Sequence, residues 1–331
     1  MQRYPLILLM FSLLAYSCFK EDERAVPYPG EIITIRDSVQ KHQSYFDFES
    51  GNVIRFNMLN AWQLGFESTP DGWHIVTNSG DGWFMFNTGL TDAGIIPEMP
   101  DNLKGLYDVQ HAYPDSTATG AWVTFDAGTP SYTGNIYLLG QYENGSFDNL
   151  KQIVFLEISE DSYRFSYHDE MNGNADTVVI AKENNVNFVY YSFNQNKQVN
   201  LEPEKASYDM VFGSYYDMAT NFGITMPYMV GGALLNIWET SATLDTMHNY
   251  DDITYEIASA FEYTSQRDIP GFRWKTVTVD VSGGGAATYA VKTNYSYIIH
   301  TAQGNFYKMR FLSYSLDGRS GYPQFEYRLL E

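Results

Sequence analysis

The chain has 331 residues, with 40 Asp and Glu against 20 Lys and Arg, for a formal charge of −20 at neutral pH. Such an acidic balance repels phosphate backbones and anionic lipid surfaces, which argues against nucleic acid as a partner. A single cysteine rules out a disulfide framework or a thiolate metal cluster, so stability must come from ordinary burial, for which this length offers one or two domains.

The N-terminus carries one positive charge at Arg3, followed by a short apolar run from Leu6 to Tyr16. That run is too short to span a bilayer and has the form of a secretory signal. Its end, Leu14-Ala15-Tyr16-Ser17-Cys18, resembles the lipobox of bacterial lipoproteins, which implies a signal peptide over residues 1–17 and lipidation of Cys18. Phe19-Lys20-Glu21-Asp22-Glu23 resembles the Lys-then-acidic tag of Bacteroidetes lipoproteins displayed on the outer face of the outer membrane. A solvated tether is the plainer reading of the same charges. Residues 18–39 are then a lipidated tether leading into a first strand.

Beyond the tether the chain is built of strands. Ile32–Ile35, 134–139, 163–167, 276–281 and 295–299 alternate apolar and polar residues, and the composition holds 27 Tyr, 21 Phe and 6 Trp. Asp71-Gly72, Asp81-Gly82, Asn144-Gly145, Asn172-Gly173 and Asp317-Gly318 are turn dipeptides of the hairpin kind. No window of the mature chain carries a long helical stripe. The expected fold is all-β, in two related antiparallel sheet or sandwich domains with few short helices.

The division into two rests on a repeat. Tyr45-Phe46-Asp47-Phe48 returns as Tyr190-Tyr191-Ser192-Phe193, and Trp62 to Ser68 returns as Tyr208 to Ser214, at offsets of 145 and 146 residues. Weaker matches keep the order: Gly120–Thr124 with Gly271–Thr276, Ile153–Leu156 with Met309–Leu312, and Phe165–Tyr167 with Phe325–Tyr327. The expected domains are 40–185 and 186–331. Between them, Asp169, Asn172, Asn174 and Asp176 sit on a polar stretch that reads as a calcium loop or, more simply, as side chains capping their own turn.

These landmarks together resemble the HmuY family of Bacteroidetes surface lipoproteins, in a long two-copy form. The resemblance is carried by Tyr45–Val53, Trp62–Phe66 with Asn78-Ser79-Gly80, Tyr208–Phe212, Pro227–Asn236, Ile269–Lys275, Tyr297–Ile299, Gly304–Phe311 and Gly321-Tyr322-Pro323. It implies an all-β protein that captures haem for iron acquisition, through two axial His or Met side chains, and passes it to a TonB-dependent outer-membrane transporter. Met247 and His248 fall where the resemblance places a first ligand. The stretch after Trp274 offers neither His nor Met as a second, so Met226 and Met229, flanking Pro227-Tyr228, complete the candidate haem-binding set, with Met218 just upstream. The plainer reading of each Met is core packing.

No catalytic motif is present: no Gly-x-Ser-x-Gly, no His-Glu-x-x-His, no phosphate-cradling Gly-x-Gly-x-x-Gly, and no cysteine nucleophile in the mature core. The expectation is a binding protein and not an enzyme. The competing class is a glycan- or protein-binding β-sandwich lipoprotein that ignores haem, with Trp73, Trp83 and Trp238 as candidate stacking platforms.

Overall fold

The structure is a computed structural model and describes residues 30–92, 98–169, 175–221, 223–279 and 287–331. Cys18, the signal segment, Asn172 and Asn174 of the polar loop, and Gly283-Gly284-Gly285 lie outside the described residues. The all-β expectation holds, and the one α-helix among the described residues, α1 (Tyr255–Ser259), has five residues.

Eleven strands cover the first part of the chain: β1 (Glu31–Thr34), β2 (His42–Asp47), β3 (Asn52–Met58), β4 (Leu64–Glu67), β5 (Ile75–Thr77), β6 (Trp83–Asn87), β7 (Val123–Asp126), β8 (Thr129–Tyr132), β9 (Ile136–Glu143), β10 (Ser146–Ile158) and β11 (Ser162–Asp169). Eleven more cover the second: β12 (Asp176–Ala181), β13 (Phe188–Ser192), β14 (Lys197–Val199), β15 (Met210–Asn221), β16 (Ile224–Leu235), β17 (Ser241–Asp245), β18 (Lys275–Val279), β19 (Ala287–Val291), β20 (Ser296–His300), β21 (Phe306–Leu316) and β22 (Arg319–Leu330). Of the turn dipeptides, Asp71-Gly72 lies in the connection between the paired β4 and β5, Asp81-Gly82 ends a 3-10 turn over Ser79–Asp81 between strands of different sheets, and Asn172-Gly173 lies outside the described residues. Asn144-Gly145 and Asp317-Gly318 take positive φ at both residues, as two-residue hairpin turns require, and close β9–β10 and β21–β22.

The strands form two five-stranded sheets, ordered β12-β11-β10-β9-β6 and β1-β22-β21-β20-β17, two four-stranded sheets, ordered β14-β13-β4-β5 and β3-β2-β15-β16, and two two-stranded ribbons, β7-β8 and β18-β19. Counting eleven strands on, and wrapping from the last strand to the first, converts each sheet into its counterpart. The pairings nevertheless cross the expected boundary at 185/186. Hairpin β2–β3 pairs with β15, and hairpin β13–β14 pairs with β4. The packing units are therefore β4 to β14, one continuous stretch, and β1 to β3 together with β15 to β22. Sequence repetition shows that a strand needs a partner of a given kind. It does not say which copy supplies it.

Each unit packs a five-stranded sheet on a four-stranded one, and period-two alternation sends every second side chain inward. The first core contains Leu64 and Phe66, Tyr137 and Leu139, and Phe165 and Tyr167. The second contains Phe46 and Phe48, Met210 and Phe212, and Phe325 and Tyr327. The intervening residues of the four-stranded sheets are buried as well. Tyr45, Val211 and Tyr215 on one side, and Trp62, Val76 and Tyr190 on the other, form clusters on the faces turned away from the two cores. Sheets covered on both faces explain why these strands read as unbroken apolar and aromatic runs.

Candidate ligand-binding site

The two units meet at a seam built by the repeated stretches. Asn78 Nδ2 donates to the carbonyls of Leu59 and Trp62, at 2.6 and 2.9 Å, and Asn236 Nδ2 donates to those of Lys205 and Tyr208, both at 2.7 Å. Gln63 Oε1 accepts the Phe193 N–H and Asp209 Oδ2 accepts the Phe48 N–H, each at 2.8 Å. Equivalent positions thus make equivalent bonds in both units.

A cavity of about 80 Å³ lies in this seam, lined by Tyr45, Tyr190, Tyr208, Tyr215, Glu202 and Arg267 among others. Its polar groups largely satisfy one another. Glu202 is buried and accepts bonds from Asn187, the Phe188 N–H, Tyr190 and Tyr208, while burial pushes its carboxyl up from the usual range. Asp108, bonded to the N–H groups of Thr77 and Ala118, is pushed up to about 7 by burial. Binding pockets for organic ligands run from roughly 300 to 1,000 Å³, so this cavity is too small for a macrocycle.

The second concavity is of that size, a groove of about 840 Å³. One wall is the long hairpin β15–β16, which is held against the first unit. The Tyr216 ring lies 4.8 Å from Phe84 and 5.8 Å from Tyr107. The Tyr216 N–H donates to Ser79 Oγ at 3.3 Å, and Gly80 is so close to the Ser214 carbonyl that any side chain there would clash. The other wall is Asp101 to Lys104 with Tyr142, all from the first unit. The hairpin contributes Tyr216, Met218, Met226, Tyr228 and Met229, and Met226 and Tyr228 are about half exposed.

The register decides what these methionines can do together. Tyr216 pairs with Met229 and Met218 with Pro227, so Tyr216, Met218 and Met229 share one face of the hairpin. Met226 pairs with Ala219 and stands on the other face with Tyr228. Met226 and Met229 are three residues apart on one strand and point in opposite directions, so they cannot both coordinate one iron.

The remaining expected ligands lie elsewhere. Met247 and His248 are on the turn after β17 and line neither concavity; Met247 is 87% exposed, and His248 Nδ1 is bonded to Asp245 Oδ2 at 2.9 Å. Of the tryptophans weighed as sugar platforms, Trp83 is buried in the first core, Trp73 stacks on His74 and packs on that core, and Trp238 is covered by the Lys205 ammonium at 4.1 Å. Sequence reasoning did not single out Leu103, Lys104 or Tyr142. They sit in unpatterned loop or strand-end positions, and only the fold brings them to the groove.

One acidic cluster stands apart from both concavities. Carboxylate oxygens of Asp47, Glu49 and Asp209 lie within 4.8 Å of one another. Burial, with Glu49 and Asp47 nearby, pushes Asp209 up to about 8, so at neutral pH it holds a proton. The positions matched to them in the sequence repeat are Ser192, Asn194 and Gln63.

Comparison with known proteins places the second part of the chain. Residues 184–327 match the family model described as HmuY protein, which bears out the resemblance read from the landmarks over that stretch. Similar solved structures include a putative HmuY-like heme-binding protein from Bacteroides vulgatus, 10% identical, covering 91% of this chain and 94% of that one at a TM-score of 0.22. They also include apo PinO from Porphyromonas gingivitis, 9% identical over 92% and 98% of the two chains at 0.23, and an apo HmuY analogue from Tannerella forsythia, 9% identical over 92% and 96% at 0.23. No curated protein matches the sequence.

Proposed function

We propose that this protein is a non-catalytic binding protein that captures haem in the groove between hairpin β15–β16 and residues 101–104. The observation that carries the reading is a coincidence of place: the segment matching the HmuY family includes the whole hairpin that forms the groove's methionine- and tyrosine-bearing wall. The residues suit the ligand. Haem needs an apolar, aromatic surface to cover the porphyrin and a soft or imidazole donor for iron, and Met218 and Met229 present thioethers beside Tyr216. Both thioethers would approach the macrocycle from the same side, so this wall can supply one axial ligand.

The same reading makes the chain a surface lipoprotein. Lipid on Cys18 would hold it at the outer membrane, facing the exterior, and a TonB-dependent transporter would receive the ligand. It also takes the chain as two copies of one unit, a reading supported by the recurring bonds of Asn78 with Asn236 and of Gln63 with Asp209.

The test is a titration of the soluble mature protein with ferric haem, read by absorbance in oxidised and reduced states. A saturable Soret shift supports capture; no saturable change in either state refutes it. A second reading, glycan binding, draws on Tyr142 and Tyr216, which line the groove together and could stack a sugar ring. Retardation in polysaccharide gels together with an unchanged Soret band would favour it.

A further inference from the structure

The groove is completed by a part of the chain that the family match does not reach. Hairpin β15–β16 lies inside residues 184–327, whereas Asp101, Leu103, Lys104 and Tyr142 lie outside it. We propose that the first unit serves as the charge-selecting wall of the groove, with Lys104 pairing a carboxylate of the bound ligand. This rests on the haem reading above and extends it to the ligand's acid groups.

The argument is electrostatic. Haem carries two propionate carboxylates, and the whole chain, at −20, repels such a ligand. Lys104 is the only cationic side chain among the residues lining the groove. It is exposed at the rim and makes no ion pair among the described residues. The opposite wall offers phenol rings, thioethers, Ile224, Thr225 and Pro227, none of which can pair a carboxylate ionically. Asp101, three residues before Lys104 on the same rim, works against an acidic ligand, so the two residues act with opposite signs. A planar ligand lying on the hairpin would therefore turn its acid edge toward Lys104.

The experiment compares ferric haem with its dimethyl ester, which keeps the macrocycle and iron and lacks the carboxylates. Wild type, Lys104→Glu, Lys104→Arg and Asp101→Asn are titrated, with melting curves as a control for folding. Lys104→Glu is expected to raise the Kd for haem by about three- to tenfold, the scale of a rim ion pair exchanged for repulsion. It should leave the ester's Kd unchanged. Lys104→Arg should bind haem like wild type, and Asp101→Asn should bind it slightly more tightly. Haem binding insensitive to Lys104, or equal weakening of haem and ester, overturns the assignment while leaving haem capture standing. If wild type takes up neither compound, both the assignment and the haem reading fail.

Discussion

Tyr45 and Tyr190, matched positions of the repeated aromatic strand, line the same cavity in the seam, and each packs on a matched partner: Tyr45 on Tyr208 with ring centroids 5.0 Å apart, Tyr190 on Trp62 at 4.7 Å. Matched contacts converging on one seam are the pattern of an isologous interface, except that both partners here belong to one chain. Removing either hydroxyl tests how much the seam depends on it. Tyr45→Phe is expected to cost about 1 kcal/mol. Tyr190→Phe should cost somewhat more, because Tyr190 also donates to buried Glu202. A denaturation cycle should give a double variant whose loss departs from the sum of the two, since both residues line one cavity.

Asn78 and Asn236 each tie two backbone carbonyls in the seam. Replacing either by Ala leaves buried carbonyls without a donor, at an expected cost of about 2–4 kcal/mol. Asn236→Ala should be the worse of the two, because Asn236 Oδ1 accepts from Asn187 and from the Trp238 N–H, whereas Asn78 Oδ1 accepts the longer bond from the Asp81 N–H at 3.3 Å. Urea midpoints at constant slope are the check; equal and negligible losses would contradict the role given to them.

Asp209 supplies a pH test with a definite sign. In the unfolded chain its carboxyl titrates in the usual range; in the fold burial raises it to about 8. Between those values the folded state holds a proton that the unfolded state has lost, so stability falls as pH rises and the loss is complete above about 8. Asp108, raised to about 7, acts in the same direction. The melting temperature is therefore expected to drop between pH 5 and pH 8. Asp209→Asn should flatten that drop and stabilise the protein at pH 8 by on the order of 1–3 kcal/mol. The amide keeps the bond to the Phe48 N–H, as Gln63 does for Phe193. A steeper drop in the variant would refute the account.

If haem is ligated from the hairpin, Met226 and Met229 cannot contribute alike. Met229→Ala is expected to change the reduced-state spectrum and weaken haem at least tenfold, with Met218→Ala the only other substitution on that face able to do so. Met226→Ala, and the pair Met247→Ala with His248→Ala, should leave the coordination spectrum unaltered. A lost signature in the Met247/His248 variant would move the site to the turn after β17.

Much of this architecture was legible in the sequence. Period-two alternation located β9, β11 and β20, and Asn144-Gly145 and Asp317-Gly318 located two hairpin turns, because both signals are local consequences of backbone geometry; Asp81-Gly82 marked the end of a 3-10 turn instead. The aromatic landmarks disclosed the likeness to HmuY over the second part of the chain, since buried strands keep their large side chains in order. Three things were decided only by tertiary structure. Pairing of β2 with β15 and of β13 with β4 is a choice between equivalent partners that no local pattern encodes. The facing of Met226 away from Met229 follows from strand register, which sets side-chain direction one residue at a time. The meeting of Lys104 and Tyr142 with Tyr216 joins residues more than 70 positions apart, and only the packing of one unit on the other creates the groove they line.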